Sequence, residues 1–141
     1  GGPGAEPALR RDHEALAASL DKLRSIADAL DDTAPEQAAA LIGDANALVR
    51  ESIVAHERAD EGAIHGLLAA RRAEPISLAA VSRAHREILH LARQLDQLTE
   101  ELPAVDRYLV RDAQRLIESL LQIVRIHTAQ EEDIYEEFLE P

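Results

Sequence analysis

The sequence contains no cysteine, no methionine and no tryptophan. Without cysteine there is no disulfide frame, no thiolate zinc site and no iron–sulfur cluster. Aromatic residues are nearly missing as well, being only Tyr108, Tyr135 and Phe138, so Leu, Ala, Ile and Val must build the core. No apolar run approaches the ~20 residues of a membrane span, and no signal peptide is visible. Positive charge is scarce: 15 Lys and Arg stand against 27 Asp and Glu, a formal net charge of -12. That balance excludes a nucleic-acid partner, whose phosphates need a basic surface. It equally excludes an anionic membrane surface. The expected location is cytoplasmic, and the Ala- and Arg-rich usage points to a high-GC bacterial source. With no methionine even at position 1, the chain reads as processed or as a fragment. Residues 1–6, opening Gly1-Gly2-Pro3-Gly4, read as a flexible lead-in or a cloning scar, and 7–141 as one domain.

What is present is helix-forming. The 141 residues are 46% hydrophobic, rich in Ala and Leu with few β-branched runs, which favours helix. Four segments stand out between proline-marked breaks. The first, about 7–30, carries Leu9, Leu16, Leu20, Leu23 and Leu30 on one stripe. The second, about 35–71, follows Thr33 as a candidate N-cap and Pro35 in its first turn. Gly43 and Gly62 are points where it could bend or end early. Its inner stripe is Leu41, Ala45, Leu48, Val49, Ser52, Ile53, His56, Asp60, Ile64 and Leu67. Glu74-Pro75 breaks the chain, and Ser77 caps a third helix to about 102, striped by Val81, His85, Ile88, Ala92, Leu95 and Leu98. After Pro103 a fourth, about 104–138, shows Leu109, Ala113, Leu116, Leu120, Ile123, Val124, His127, Glu131 and Ile134. Short connections make successive helices antiparallel neighbours. The expected fold is all-α: an antiparallel up-down-up-down four-helix bundle.

The two halves repeat. A shift of 72 lays His13 on His85, Leu16 on Ile88, Leu23 on Leu95 and Ile26 on Leu98. A shift of 71 lays His56 on His127, Asp60 on Glu131, Glu61 on Glu132, Val49 on Leu120 and Ile53 on Val124. Two helix pairs with matched marks imply an internal two-fold axis, with paired histidines facing across it.

The chemistry-bearing residues lie on the apolar stripes. His56 and Asp60 are four apart, as are His127 and Glu131, so each pair shares a helix face. His13 and His85 sit on the inner stripes of the first and third helices. At 1.5 Å per residue, His13 and His56 lie ~26 and ~32 Å from the turn their helices share, close to one depth. One histidine on an apolar stripe is more often an ordinary core residue. Four of them, two with an acid at +4 in a duplicated pattern, point to a metal layer. Six ligands are too many for one tetrahedral zinc. Mixed imidazole and carboxylate suits iron or manganese, with the two acids bridging two ions. Tyr135, four after Glu131, falls inward, either as core packing or as a hydrogen-bond partner of a ligand carboxylate. Glu87-Ile88-Leu89-His90 has the Glu-x-x-His spacing of ferritin-like sites but lies off the inner face, a chance match.

In this arrangement the sequence resembles the hemerythrin-like, HHE cation-binding domains. The carriers are Asp12-His13, His56-Glu57-Arg58-Ala59-Asp60-Glu61, Ala84-His85-Arg86 and His127-Thr128-Ala129-Gln130-Glu131-Glu132, in that order over nearly the whole chain. The resemblance implies a non-haem di-iron centre with carboxylate and oxo or hydroxo bridges. Three departures follow from it. Asp60 stands where such domains carry glutamate, so Glu61 or Glu57 could replace or join it as a ligand. The fifth histidine of oxygen carriers has no counterpart, since His90 lies five after His85 and about 140° off its face. His65 lies nine after His56 and falls on the far side. The leading reading is a di-iron binding module for dioxygen, nitric oxide or iron itself, used for sensing, storage or protection. One alternative is an enzyme turning over peroxide or nitric oxide. Another is a structural bundle holding zinc or another divalent metal. The oligomeric state is not legible.

Overall fold

In the computed structural model every described element is helical. The structure describes the backbone of residues 5–69, 75–100 and 106–139, and the side chains of 12–62, 66, 79–100 and 106–134. Helix α1 is Ala5–Ala29 and α2 is Pro35–Leu48. A π-helical segment, Val49–Val54, carries α2 without a break into α3, Ala55–Ala69. Helix α4 is Pro75–Thr99 and α5 is Arg107–Leu139. None of the helices is long and apolar enough to cross a membrane, among the described residues.

The breaks have local causes. Asp31, Asp32 and Thr33 end α1, where Leu30 still donates its N–H to Ile26 O at 3.1 Å. The N-cap of α2 is Ala34, not Thr33, and it makes no side-chain cap. Thr33 turns back, its hydroxyl donating to Ala29 O at 2.5 Å. Pro35 fits the first turn of α2 because that turn needs no N–H from it, and Ala34 O accepts from Gln37 and Ala38 at 2.9 Å each. Pro75 likewise starts α4, so the helix begins before the expected Ser77. Asp106 caps α5, its Oδ1 accepting the Leu109 N–H at 2.8 Å. The helix continues through Gly43 and Gly62; the irregularity falls between them, in Val49–Val54.

Leu16, Leu20, Leu23, Ala27 and Leu30 of α1 are buried at spacings of three and four. They meet Ile42, Ala45 and Val49 of the second helical stretch, Ile88, Ala92 and Leu95 of α4, and Ala113, Ile117, Leu120 and Val124 of α5. Each buried Leu or Ile contributes about 1.5–3 kcal/mol relative to exposure, so these positions carry the stability of the fold. Helix α1 packs on α2 and α5, and α4 packs on α2, α3 and α5. Polar ties set the pairing. Arg24 of α1 bonds Glu118 of α5 at 2.5 Å. Gln114 donates to Ala27 O at 3.0 Å and to Asp31 at 2.8 Å. Buried Asn46 donates to Asp96 of α4 at 2.9 Å. The apolar core gives way at one end to seven buried or nearly buried polar residues.

Candidate metal centre

Those residues come from four helical stretches: His13 on α1; His56, Glu57 and Asp60 on α3; His85 on α4; His127 and Glu131 on α5. The π segment explains which of them face inward. A π turn takes up about one more residue than an α turn, so the inward face of the helix drifts along the sequence. Val49 and Ile53 are buried on the core side of this stretch, and Glu57, only 1% exposed, follows four residues later. The side chain of His56 is 10% exposed. Helix α5 has no such segment: there His127 is the fully buried residue and its neighbour Thr128 is half-buried.

The donors form two groups that overlap. His13, His56, Asp60 and Glu131 each place one ligand atom within 4.8 Å of all the others, and so do Glu57, Asp60, His85, His127 and Glu131. Asp60 and Glu131 belong to both groups. His13 and His56 meet edge to face with ring centroids 5.4 Å apart, and His85 and His127 do so at 4.4 Å. Nε2 of His56 lies 2.9 Å from Asp60 Oδ2. Glu57 Oε2 lies 2.9 Å from His85 Nε2 and 3.1 Å from His127 Nε2. Glu131 Oε1 contacts both His127 Nε2 and His85 Nε2, the latter at 3.3 Å.

Outer partners fix two of the rings. His85 Nδ1 donates to Glu61 Oε2 at 2.5 Å, and Ser82 donates to Glu61 Oε1 at 3.0 Å. His13 Nδ1 donates to Glu132 Oε1 at 3.0 Å. A proton on Nδ1 leaves each Nε2 lone pair for the centre. Glu61 therefore supports His85 and joins neither donor group. Glu132 was not singled out from the sequence as a site residue, although the shift of 71 that matches it to Glu61 marked it.

Burial and charge shift these groups strongly. Burial disfavours the His85 imidazolium, yet contacts with Glu131, Glu57 and Glu61 outweigh it and raise its pKa to about 10. His127 follows the same pattern, raised to about 9 by Glu131 and Glu57 against burial. His56 is also raised, by Asp60, in spite of burial. Burial pushes Asp60 up to about 6, helped by the neighbouring Glu131. Burial acts on Glu57 and Glu131 too, but the facing imidazoles prevail and hold both below the usual carboxylate range.

A centre made only of these side chains leaves polar atoms without hydrogen bonds. His13 Nε2, Glu57 Oε1 and Glu131 Oε2 are buried and lack a hydrogen-bond partner, while His56 Nε2, Glu57 Oε2 and His127 Nε2 meet only other groups of the centre itself. Burying such groups unpaired costs about 1–3 kcal/mol each, and coordination to a cation removes that cost. The residues present fit divalent metal ions.

The structure thus brings together all six residues expected from the stripes, with Glu57, one of the two further acids named from the sequence. His90 is exposed. The side chains of Tyr135 and His65 lie outside the described residues. The sequence model described as Hemerythrin HHE cation binding domain matches residues 5–139. Comparison with curated proteins and with solved structures returns no match.

Proposed function

Because the chain belongs to the hemerythrin HHE cation-binding family, we propose that it holds two iron ions at this centre and presents them to small oxidants and gases. In this reading His13 and His56 are terminal ligands of one ion, and Glu57, His85 and His127 of the other. Asp60 and Glu131, common to both donor groups, would serve both ions. The observation that carries it is the sharing of Asp60 and Glu131 between two donor groups. A single metal needs no second group, and a tetrahedral zinc site closes with four donors. Four imidazoles favour iron over manganese, the more oxygen-seeking ion.

The further features of the reading rest on the same residues. Residues 7–141 act as one up-down-up-down bundle whose halves are related by a two-fold axis. The matched bonds support this, His85 to Glu61 and His13 to Glu132. The His13/His56 group has one donor fewer, which leaves room there for dioxygen, nitric oxide or peroxide. When bound, the iron pair would supply redox chemistry toward such ligands, suited to sensing, storage or protection. The protein's own part is to orient the imidazoles, exclude bulk water and hold the bridging carboxylates.

The test is the metal count and optical spectrum of protein produced with iron supplied. Two irons per chain with oxo-bridge absorption are expected. His56→Ala and His127→Ala each lower iron content and melting temperature together. Unchanged metal content in both variants would overturn the assignment.

A further inference from the structure

The two donor groups share Asp60 and Glu131 and differ in what each adds to them. One adds His85, His127 and the Glu57 carboxylate, whereas the other adds only His13 and His56. An entering cation therefore meets three carboxylates in the first group and two in the second. The repeat locates the difference. The shift of 71 that lays His56 on His127 lays Glu57 on Thr128, which carries no charge.

The outer supports differ in the same sense. Glu61 is engaged at both oxygens, by His85 Nδ1 at 2.5 Å and by Ser82 at 3.0 Å. Its counterpart Glu132 meets His13 Nδ1 at 3.0 Å with its side chain 58% exposed, against 36% for Glu61. The shift of 72 that lays His13 on His85 lays Arg10 on Ser82, so the serine that anchors Glu61 is not repeated. A ring held by an anchored acid is already aimed, and an ion bound there loses less to ordering. Charge then acts between the positions. An ion in the first group takes up Asp60 and Glu131, which the second group shares, and it repels a cation arriving beside it.

We infer that the centre fills in a fixed order, the His85/His127 position first and the His13/His56 position second, and that Glu57 sets this order. The inference rests on the two-metal reading and adds to it a one-ion form of the protein. That form prevails at metal concentrations between the two affinities. A change in metal supply across that range is registered at the His13/His56 position, while the other stays filled.

Ferrous ion, added without oxygen to the stripped protein and counted by native mass spectrometry, provides the test. At one equivalent, singly loaded chains should exceed doubly loaded ones about tenfold, the mass-action ratio for stepwise affinities about a hundredfold apart. Two equal and independent positions give about twofold by the same mass action. His13→Ala should keep the tight step and lose the weaker one. Glu57→Gln should bring the ratio down towards the twofold value. A parent ratio near twofold, or paired uptake with no singly loaded chains, would overturn the order and leave the metal pair standing. So would loss of the tight step in His13→Ala, or a Glu57→Gln ratio as high as that of the parent. A parent protein that takes up one ion or none at any excess of iron would remove the two-metal reading, and the inference with it.

Discussion

Glu57→Gln tests the centre most directly, because it deletes one negative charge and almost no volume. Glu57 is 1% exposed and its Oε2 lies 2.9 Å from His85 Nε2 and 3.1 Å from His127 Nε2. It belongs only to the donor group that holds those two histidines. Losing a mere supporting partner of a ligand typically weakens metal binding 10–100-fold, so losing a ligand charge should cost at least ~100-fold. With free metal well above both dissociation constants, a hundredfold weaker affinity removes about 2.7 kcal/mol of stabilisation, or roughly 5–10 °C in melting temperature for a chain of this size. The assay is iron content after dialysis against a chelator, with thermal unfolding of the loaded and stripped forms. One of the two ions should become labile, and the loaded form should lose more stability than the stripped form. Two retained irons, with equal melting shifts in both forms, would show that Glu57 is only an ion-pair partner of the histidines.

Metal loading should release about two protons near pH 7, since His85 and His127 carry raised pKa values of about 10 and about 9 and must be neutral to coordinate; calorimetry in two buffers of different ionisation enthalpy measures this, and a release near zero would contradict it. The same shifts set the pH dependence of the stripped protein. Their stabilising contribution is whole below the ordinary histidine value of 6.5 and is lost as pH rises through about 9 and about 10. Urea unfolding should show the stripped form weaker at pH 10 than at pH 7, and the loaded form changed far less. Leu23→Ala, at a fully buried core position, should cost about 2–5 kcal/mol in chemical unfolding, with the iron count unchanged because Leu23 lies outside both donor groups. Gly43→Ala should stabilise by about 0.5–1 kcal/mol, because a Cβ there meets nothing within 4 Å; a lower melting temperature would refute that.

Most of the centre could be read from residue spacing because the imidazoles and acids ride on regular helices. On α1, α4 and α5 the 3.6-residue period holds, and His13, His85, His127 and Glu131 fall on the face where Leu16, Ile88, Leu120 and Val124 are buried. Spacing also put His90 outside, and it is exposed. The uniform period failed on the second helical stretch. There the stripe expected from the sequence took in Leu41 and Leu48 and passed over Ile42, Asn46 and Glu57, all of which are buried. The π segment at Val49–Val54, which no glycine or proline announces, accounts for Glu57; Ile42 and Asn46 precede it and keep α spacing to Val49, so there the expected stripe lay one residue off the buried face.

By itself the sequence determined the helical class, the helix starts at Pro35 and Pro75, the family, and four histidines with two acids as candidate ligands. These follow from local propensity and from periodicity within single helices, which need no knowledge of neighbours. Only the tertiary structure decided that Asp60 and Glu131 are shared between two donor groups, that Glu57 joins one of them, and that Glu61 instead holds His85 in place. A carboxylate's role depends on which imidazoles arrive from other helices and at what distance. That is set by packing across α1, α3, α4 and α5, and a helix register changed by one π turn is enough to bring a different acid among the buried donors.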